Sequence, residues 1–344
     1  MKWLLVIVCF LCSGLVAQAD DAGVRGVGGA VEPLDQHPSI RMVREKVHII
    51  LGPTTASVRC EFVFKNEGPA ITAKIGFPER NYGDSAHPIK SSDLKSFRSW
   101  VDGRSVKTKL VPSANKGDEQ EYEAWHVKDV HFSRGQTRVI VDQYATEYGG
   151  DSMGGIFLNY ILKTGGNWKG TIGEALITVD ASQLANYWRV TPMDPKGSTV
   201  KGSKITWLLK DFEPSDNVYI YIERKQNILI GGMRVLNYDA EIYTRRGITV
   251  APITNLRDFA QISWDKAHGE CSISYQGNTL TMRPGSKTAI LNKSEKIQLP
   301  ETPYIRWSSF RVPILAVAKA VGMKLGYDQK TGNTSILGEK RENS

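Results

Sequence analysis

Residues 150–154, Gly-Asp-Ser-Met-Gly, match the pattern that places a nucleophilic serine in many hydrolases, with Ser152 at its centre. That chemistry requires a strand, a sharp turn and then a helix, so that the serine hydroxyl lies at a helix N-terminus. Here the pattern is followed by residues 156–162, whose apolar and aromatic content is typical of a strand. We therefore predict that the chain is not an enzyme, and a serine hydrolase that uses Ser152 is the alternative.

His126, Asp129 and His131 are close enough in sequence to suggest a metal site. If they lie on one strand, the two imidazoles are an odd number of positions apart and face opposite sides of the sheet, so one ion could not readily bind both. The other histidines are scattered, and no His-x-His motif is present. We expect no metal and no cofactor.

Tryptophan side chains could stack on the sugar rings of a cell-wall glycan. Trp168 and Trp307 are the candidates for such ligand binding. Trp168 lies in a glycine-rich stretch, residues 160–173, where it either closes one end of a sheet or forms a ligand platform. Trp100 and Trp207 fall inside alternating segments, so core packing explains most of the other tryptophans.

The segment that must position these residues, 43–224, reads as successive short strands separated by turn residues. Breakers such as Asn-Glu-Gly-Pro at 66–69 and Asp102-Gly103 stand where hairpins need them, and helical periodicity is almost absent. This pattern predicts a mainly β protein in which an antiparallel β-sandwich occupies residues 43–224.

The two cysteines beyond the N-terminal segment are predicted to be buried thiols. Cys60 alternates with Val58 and Phe62, and Cys271 shares its parity with Ile273 and Tyr275. Each side chain should therefore face the core of its own domain. We favour two packed thiols over a disulfide, although an exported location would permit a bridge.

The last hundred residues contain an internal repeat. Its equivalent positions include Pro252-Ile253 and Pro313-Ile314, Trp264-Asp265 and Tyr327-Asp328, and Gly269 and Gly332. Each copy reads as a strand, a proline, a short helix, an aromatic-Asp turn and a second strand. The repeat predicts a small duplicated α+β domain at residues 225–338, in which each copy buries the apolar face of the other.

Two resemblances follow from these residues. The segments 250–253, 311–314 and 325–328 resemble the copper amine oxidase N-terminal-like domain of exported bacterial proteins. That family implies an envelope-associated module and neither copper nor oxidation. The stretch 160–173, with Gly-Phe-Pro-Glu at 76–79, resembles a group of exported bacterial domains of unknown function and implies no activity.

The N-terminus predicts export. Residues 1–19 have the form of a signal peptide, with Lys2, an apolar run and a small-x-small site at 17–19. The run is shorter than the roughly 20 residues that a membrane-spanning helix needs, so no transmembrane span is expected after cleavage. Residues 20–42 read as a flexible leader and 339–344 as a charged tail.

The net charge of +8 is spread along the chain. This favours a solvated surface over a dedicated polyanion site, so we expect no nucleic-acid partner. The sequence therefore predicts a secreted or extracellular, cell-envelope-associated protein that binds or scaffolds. Its expected partner is a cell-wall polymer or another envelope protein, and a wall-glycan-binding module is the alternative within that class.

Overall fold

Strands form most of the structure, a computed structural model. It describes residues 37–79, 94–113, 124–150, 155–235, 239, 242–243 and 246–341, and the backbone of 17–18, 22–27 and 30–33. The chain divides into two units, one of Met1–Ala185 with Val190–Ile222 and the other of Asn186–Arg189 with Glu223–Ser344. The mainly β prediction is confirmed.

The first eighteen strands lie between Ala17 and Arg224, and nearly all of their residues belong to the first unit. They are β1 (Ala17–Gln18), β2 (Ala22–Val27), β3 (Ala30–Pro33), β4 (Ile40–Leu51), β5 (Thr55–Asn66), β6 (Ile71–Glu79), β7 (Lys95–Val101), β8 (Arg104–Val106), β9 (Lys109–Pro112), β10 (Ala124–Phe132), β11 (Thr137–Glu147), β12 (Gly149–Gly150), β13 (Ile156–Tyr160), β14 (Ile172–Asp180), β15 (Trp188–Asp194), β16 (Thr199–Lys201), β17 (Lys204–Phe212) and β18 (Val218–Arg224).

An eight-stranded sheet is the base of the first unit. Its strand order is β16-β17-β14-β4-β5-β11-β7-β8. Its strands alternate buried and exposed residues, so one face of the sheet packs inward. On β5, for example, Val58, Cys60 and Phe62 are buried while Arg59 is exposed. The pairing of β4 with β14 is parallel, unlike the antiparallel pairs predicted, because these strands are far apart in sequence and no hairpin joins them.

Two smaller sheets supply the other layer. Their orders are β1-β13-β18-β15, with β12 beside β13, and β3-β2-β6-β10-β9. Side chains of both sheets reach the inner face of the large sheet: Tyr160 of β13 bonds to Glu45 of β4, and Lys128 of β10 bonds to Asp142 of β11. This is the layered arrangement of a sandwich.

Strands lie within residues 20–42, the range for which the sequence predicts a flexible leader. It contains β2 and β3, which pair with each other, and β2 also pairs with β6 at Ala22 and Gly23. Strand β4 begins at Ile40, inside the same range. Backbone pairing to an otherwise open sheet edge does not depend on apolar periodicity, so composition alone does not indicate these strands.

The second unit contains twelve further strands and, after a helical segment of which residues 242–243 and 246 are described, an α-helix named here α1. They are β19 (Ile228–Ile230), β20 (Met233–Arg234), β21 (Val250–Pro252), β22 (Gln261–Asp265), β23 (Glu270–Tyr275), β24 (Asn278–Met282), β25 (Thr288–Leu291), β26 (Glu295–Gln298), β27 (Tyr304–Arg306), β28 (Ser309–Pro313), α1 (Ile314–Ala320), β29 (Lys324–Tyr327) and β30 (Thr334–Leu337). They form sheets β20-β19-β30-β29, β21-β28-β27 and β22-β23-β24-β25-β26.

The pairing of β21 with β28 reveals the internal two-fold relation of the repeat. Ala251 pairs with Val312, its own equivalent, and on either side Val250 pairs with Pro313 and Pro252 with Arg311. An exchange of equivalent positions about a central pair is the signature of a two-fold axis. Ala251, Val312, Ile253 and Ile314 all enter one apolar core, so the two copies bury each other's apolar faces.

The two copies differ after their prolines. The second forms α1, as predicted, but the first forms a single 3₁₀ turn, Ile253–Leu256, where a short helix was expected. The first copy continues with Thr254 and Asn255, which favour turns, whereas α1 is rich in alanine. Among the described residues no helix is long and apolar enough to cross a membrane.

Candidate functional site

The candidate site is the tip of the hairpin formed by β27 and β28. Arg306 pairs with Ser309, so Trp307 and Ser308 form a two-residue turn. Both have positive φ angles, 50° and 57°, as this kind of hairpin turn requires. The Trp307 side chain is 74% exposed at the tip.

The residue types in this turn are unfavourable for its backbone. Three other two-residue hairpin turns with positive φ at both positions contain glycine, namely Asp102-Gly103, Gly231-Gly232 and Gln276-Gly277. Glycine adopts this conformation without steric cost, whereas a bulky aromatic residue there is an outlier. Strained backbone of this kind costs on the order of 1–3 kcal/mol and tends to occur at functional sites.

Two guanidinium groups lie against the Trp307 ring. The Arg306 guanidinium carbon is 4.3 Å from the ring centroid and that of Arg311 is 5.6 Å away. Arg311 is 2% exposed and therefore held in place, while Arg306 lies nearer to solvent. We call Tyr304, Arg306, Trp307 and Arg311 the aromatic-arginine tip.

Asp239 anchors one side of this tip. The Tyr304 hydroxyl donates a hydrogen bond of 2.6 Å to Asp239 Oδ2, and Arg306 Nη1 lies 3.4 Å from the same oxygen. Burial, together with the neighbouring carboxylate, raises the pKa of Tyr304, so the phenol remains a neutral donor. Asp239 Oδ1 accepts from the backbone N–H of Ile242, which fixes the carboxylate.

On the opposite face of the hairpin, Phe310 joins the core, whereas Ile305 is 53% exposed. Ile305 pairs with Phe310, and Phe310 contacts Trp264 edge to face at a ring distance of 5.5 Å. Trp264 is 40% exposed and stands at the aromatic-Asp turn of the first copy. The hairpin is thus held through Phe310, and its tip is left to solvent.

This arrangement suits a cyclic ligand that carries negative charge. An exposed indole offers a flat apolar face for a sugar ring. Guanidinium groups recognise carboxylate or phosphate through paired N–H donors and remain charged at every physiological pH. Because the indole and the guanidinium groups are adjacent, a single ligand could stack on the ring and pair its negative charge with an arginine.

Trp168, the second aromatic candidate, lies in the core. It follows a 3₁₀ turn, Lys163–Asn167, and is 1% exposed. Its ring centroid is 4.5 Å from that of Phe64 and 5.5 Å from that of His37. Of the two interpretations open at the sequence level, the structure matches the closed sheet end, and no ring face is exposed to a ligand.

Ser152 lies outside the described residues. The strands on either side of it are described: Gly149 of β12 pairs with Phe157 of β13, and Gly150 with Ile156, in antiparallel register. A strand therefore follows the serine pattern where a nucleophile elbow requires a helix.

The histidine cluster is divided between the two faces of β10. His126 is buried, bonded to Glu79 at 2.8 Å and stacked on Phe97, whereas Asp129 and His131 point to solvent. Within the described ranges, no group of three His, Cys, Asp or Glu side chains is placed to hold a metal.

Sequence reasoning missed a set of polar groups inside the sandwich. Lys128 Nζ lies 2.7 Å from Asp142 Oδ2, and the two side chains are 1% and 0% exposed. The strand period could have identified them. Lys128 lies on the same face of its strand as His126 and Phe132, and Asp142 lies on the same face as Ile140. Both charged residues occupy positions where alternation calls for apolar side chains.

Glu45 belongs to the same interior. Its Oε1 accepts a hydrogen bond of 2.9 Å from the Tyr160 hydroxyl, which also lies 3.4 Å from the Cys60 sulfur. Burial raises the pKa of Glu45 to about 7, and the bond from Tyr160 offsets only part of that rise. Glu45 therefore exchanges its proton near neutral pH.

Among solved structures, one from Legionella pneumophila, described as a "putative nutrient binding protein", is 22% identical, with a TM-score of 0.47 over 59% of this chain and 72% of that one. An M1 zinc metallopeptidase from Deinococcus radiodurans is 13% identical, with a TM-score of 0.29 over 57% of this chain and 45% of that one. A two-domain M1 zinc metallopeptidase bound to L-tryptophan is 12% identical, with a TM-score of 0.28, over 61% of this chain and 50% of that one. No curated protein matches the chain.

Two family models match and confirm both resemblances inferred from the sequence. The copper amine oxidase N-terminal domain matches residues 236–336. The domain of unknown function DUF4424 matches residues 19–124 and 140–221, which is more than half of the chain. The chain therefore belongs to the DUF4424 family and carries a copper amine oxidase N-terminal domain after that region.

Proposed function

We propose that this chain is an exported, cell-envelope-associated binding protein without catalytic activity, and that it binds an anionic wall glycan through the aromatic-arginine tip. The observation that carries the proposal is Trp307, an exposed indole at a turn whose backbone favours glycine. A residue that costs folding energy and buries little surface is best explained by a contact made outside the chain.

The charge of the tip supports a negatively charged ligand. Arg306 and Arg311 both lie against the indole, Arg306 also pairs with Asp239, and Arg306 is the more exposed of the two arginines. The whole chain is basic, with a net charge of +8, so an anionic polymer is attracted at long range as well as at the tip. Wall glycans that bear carboxylate or phosphate groups combine this charge with sugar rings.

The proposed lack of catalytic activity rests on the local structure after the serine motif at residues 150–154. Strand β13 begins at Ile156, soon after the pattern, where a nucleophile elbow would continue as a helix. Labelling of the purified protein with a fluorophosphonate tests this point. Modification of Ser152 would contradict the proposal, and a Ser152→Ala variant is the control.

Retention on purified cell wall tests the ligand. We expect Trp307→Ala to weaken binding by about tenfold or more, as is usual for a central aromatic contact. Tyr327→Ala is the matched control, because it removes another exposed aromatic side chain from a different sheet of the same unit. Equal retention of wild type and Trp307→Ala would overturn the assignment of the tip.

Charge dependence separates stacking from ion pairing. Arg306→Gln should lower retention on anionic wall polymer, and added salt should then have a smaller effect on the variant than on the wild type. Arg306→Lys keeps the charge and loses the planar fork, so we expect an intermediate result. A salt response that is the same in all three proteins would show that the arginine does not contact the ligand.

A further inference from the structure

Lys128 and Asp142 form an ion pair in the interior of the sandwich. Lys128 belongs to β10 and Asp142 to β11, which lie in different sheets, so the pair crosses the space between the two layers. The Nζ and Oδ2 atoms are 2.7 Å apart, and both side chains are almost completely excluded from solvent.

An ion pair at this depth is a weak source of stability. Removing both charges from water costs several kcal/mol for each ion, and the attraction between them recovers that cost only when all other polar atoms are satisfied. Asp142 Oδ1 is buried, and no hydrogen-bond partner for it occurs in the described part of the chain. The two side chains are therefore held close together, while Asp142 Oδ1 has no hydrogen-bond partner among the described residues.

We propose that Lys128 and Asp142 are joined by an amide bond that forms spontaneously within the folded sandwich. The amine nitrogen and the carboxyl group are already at hydrogen-bond distance, and the folded strands keep them there. Such fixed contact gives an intramolecular reaction a large advantage in effective concentration. Exclusion of water also removes the competing hydrolysis.

The reaction balances without another reagent. One proton passes along the hydrogen bond from the ammonium to the carboxylate, which gives a neutral amine and a carboxylic acid. The amine nitrogen forms a bond to the carboxyl carbon. The C–O bond to one carboxyl oxygen then breaks, and that oxygen leaves as water with the two protons from nitrogen and acid. No electron is gained or lost.

Ser99 is placed to help move the proton. It lies directly opposite Asp142 on β7, so both side chains face the interior. Its Oγ is buried and lacks a hydrogen-bond partner in the described ranges, as does Asp142 Oδ1. A hydroxyl on the residue paired with Asp142 can, after a side-chain rotation, accept one proton and donate another as water leaves. We assign Ser99 as a positioning residue for this step.

The intact mass of the purified chain, measured after full denaturation, tests the proposal. A chain with the bond is lighter than its sequence requires by one water, about 18 Da. Trypsin should also fail to cut after Lys128, and fragmentation should find residues 117–134 joined to residues 139–163. A denatured wild-type chain at its full sequence mass, with free Lys128, overturns the inference.

Two variants identify the atoms involved. Asp142→Asn should form the same amide with loss of ammonia, about 17 Da, so its product and the wild-type product have equal mass. Lys128→Arg preserves the charge but has no amine to acylate, and it should show its full sequence mass. A loss of one water that persists in Lys128→Arg would place the modification elsewhere and contradict the assignment.

Ser99→Ala tests the proton step separately. We expect it to slow the loss of water in freshly purified protein, while the final mass is still reached on longer incubation. Ser99→Thr keeps the hydroxyl and should restore the wild-type rate. If Ser99→Ala and wild type cross-link at the same rate, Ser99 has no part in the reaction, although the bond itself would stand.

Discussion

The end of the sandwich and the tip of the β27–β28 hairpin use the same residue type in opposite ways. Trp168 closes the sandwich with 1% of its surface exposed, whereas Trp307 projects from the second unit with 74% exposed. Trp168 packs against the tilted rings of aromatic neighbours, and Trp307 is flanked by guanidinium groups. The difference teaches that a tryptophan beside a turn is structural or functional according to what packs against it.

Charged groups show the same contrast between the two regions. The sandwich interior holds Glu45, Lys128 and Asp142, all buried. At the hairpin, Arg306 is exposed beside the indole. A charge in the interior affects folding, because it must be paired or neutralised, whereas a charge at the tip is available to a ligand.

The largest expected effect comes from exchanging the two tryptophans for alanine. Trp168→Ala removes a buried ring, so we expect the unfolding free energy of the sandwich to fall by about 3–5 kcal/mol. Trp307→Ala should change stability by less than about 0.5 kcal/mol, since it removes an exposed side chain. Denaturant titration measures both, and equal losses would remove the distinction between the regions.

A smaller effect is expected from pH, acting through Glu45. The folded-state pKa is raised from 4.5 to about 7, so the folded protein holds this proton more tightly than the unfolded chain does. The contribution of Glu45 to the free energy of unfolding is therefore largest below pH 4.5 and declines as pH rises towards 7. Between about pH 5.5 and pH 8 the loss is about 2 kcal/mol.

Glu45→Gln is the control for this pH effect. Its amide oxygen can still accept the bond from Tyr160, but it does not titrate. Unfolding free energies measured across this range should fall with pH in the wild type and fall less in the variant. Parallel curves for the two proteins would show that Glu45 does not change protonation on folding.

The smallest expected effect is a gain in stability at the tip. Trp307→Asn places a residue that tolerates positive φ at the turn, so the unfolding free energy of the second unit should rise by about 1 kcal/mol. Binding to wall polymer should be lost in the same variant. Ser308→Gly relieves the neighbouring position and keeps the indole, so it should gain stability and retain binding.

The binding results for these two turn variants could each contradict the proposed site. If Trp307→Asn binds as well as wild type, the strained tryptophan serves no ligand and the tip is not a binding site. If Ser308→Gly loses binding while Trp307 is still exposed, the turn geometry and not the indole determines recognition.

The sequence alone predicted those features that depend on local periodicity. Alternation at Val58, Cys60 and Phe62 placed the first thiol inside, and the same period placed His126 and His131 on opposite faces. The repeat of prolines and aromatic-Asp turns predicted a duplicated unit, and the pairing of Ala251 with Val312 shows its two-fold relation. Such patterns are readable because every residue of a strand follows the same two-residue period.

Tertiary structure decided what lies against each side chain. It buried Trp168 and exposed Trp307, brought Lys128 of one sheet to Asp142 of another, and surrounded Glu45 so that its pKa rises. It also formed only a 3₁₀ turn in the first copy, where the pattern predicted a helix. Periodicity sets the face on which a residue lies, but its partner, solvent access and charge depend on segments distant in sequence, which only the folded chain brings together.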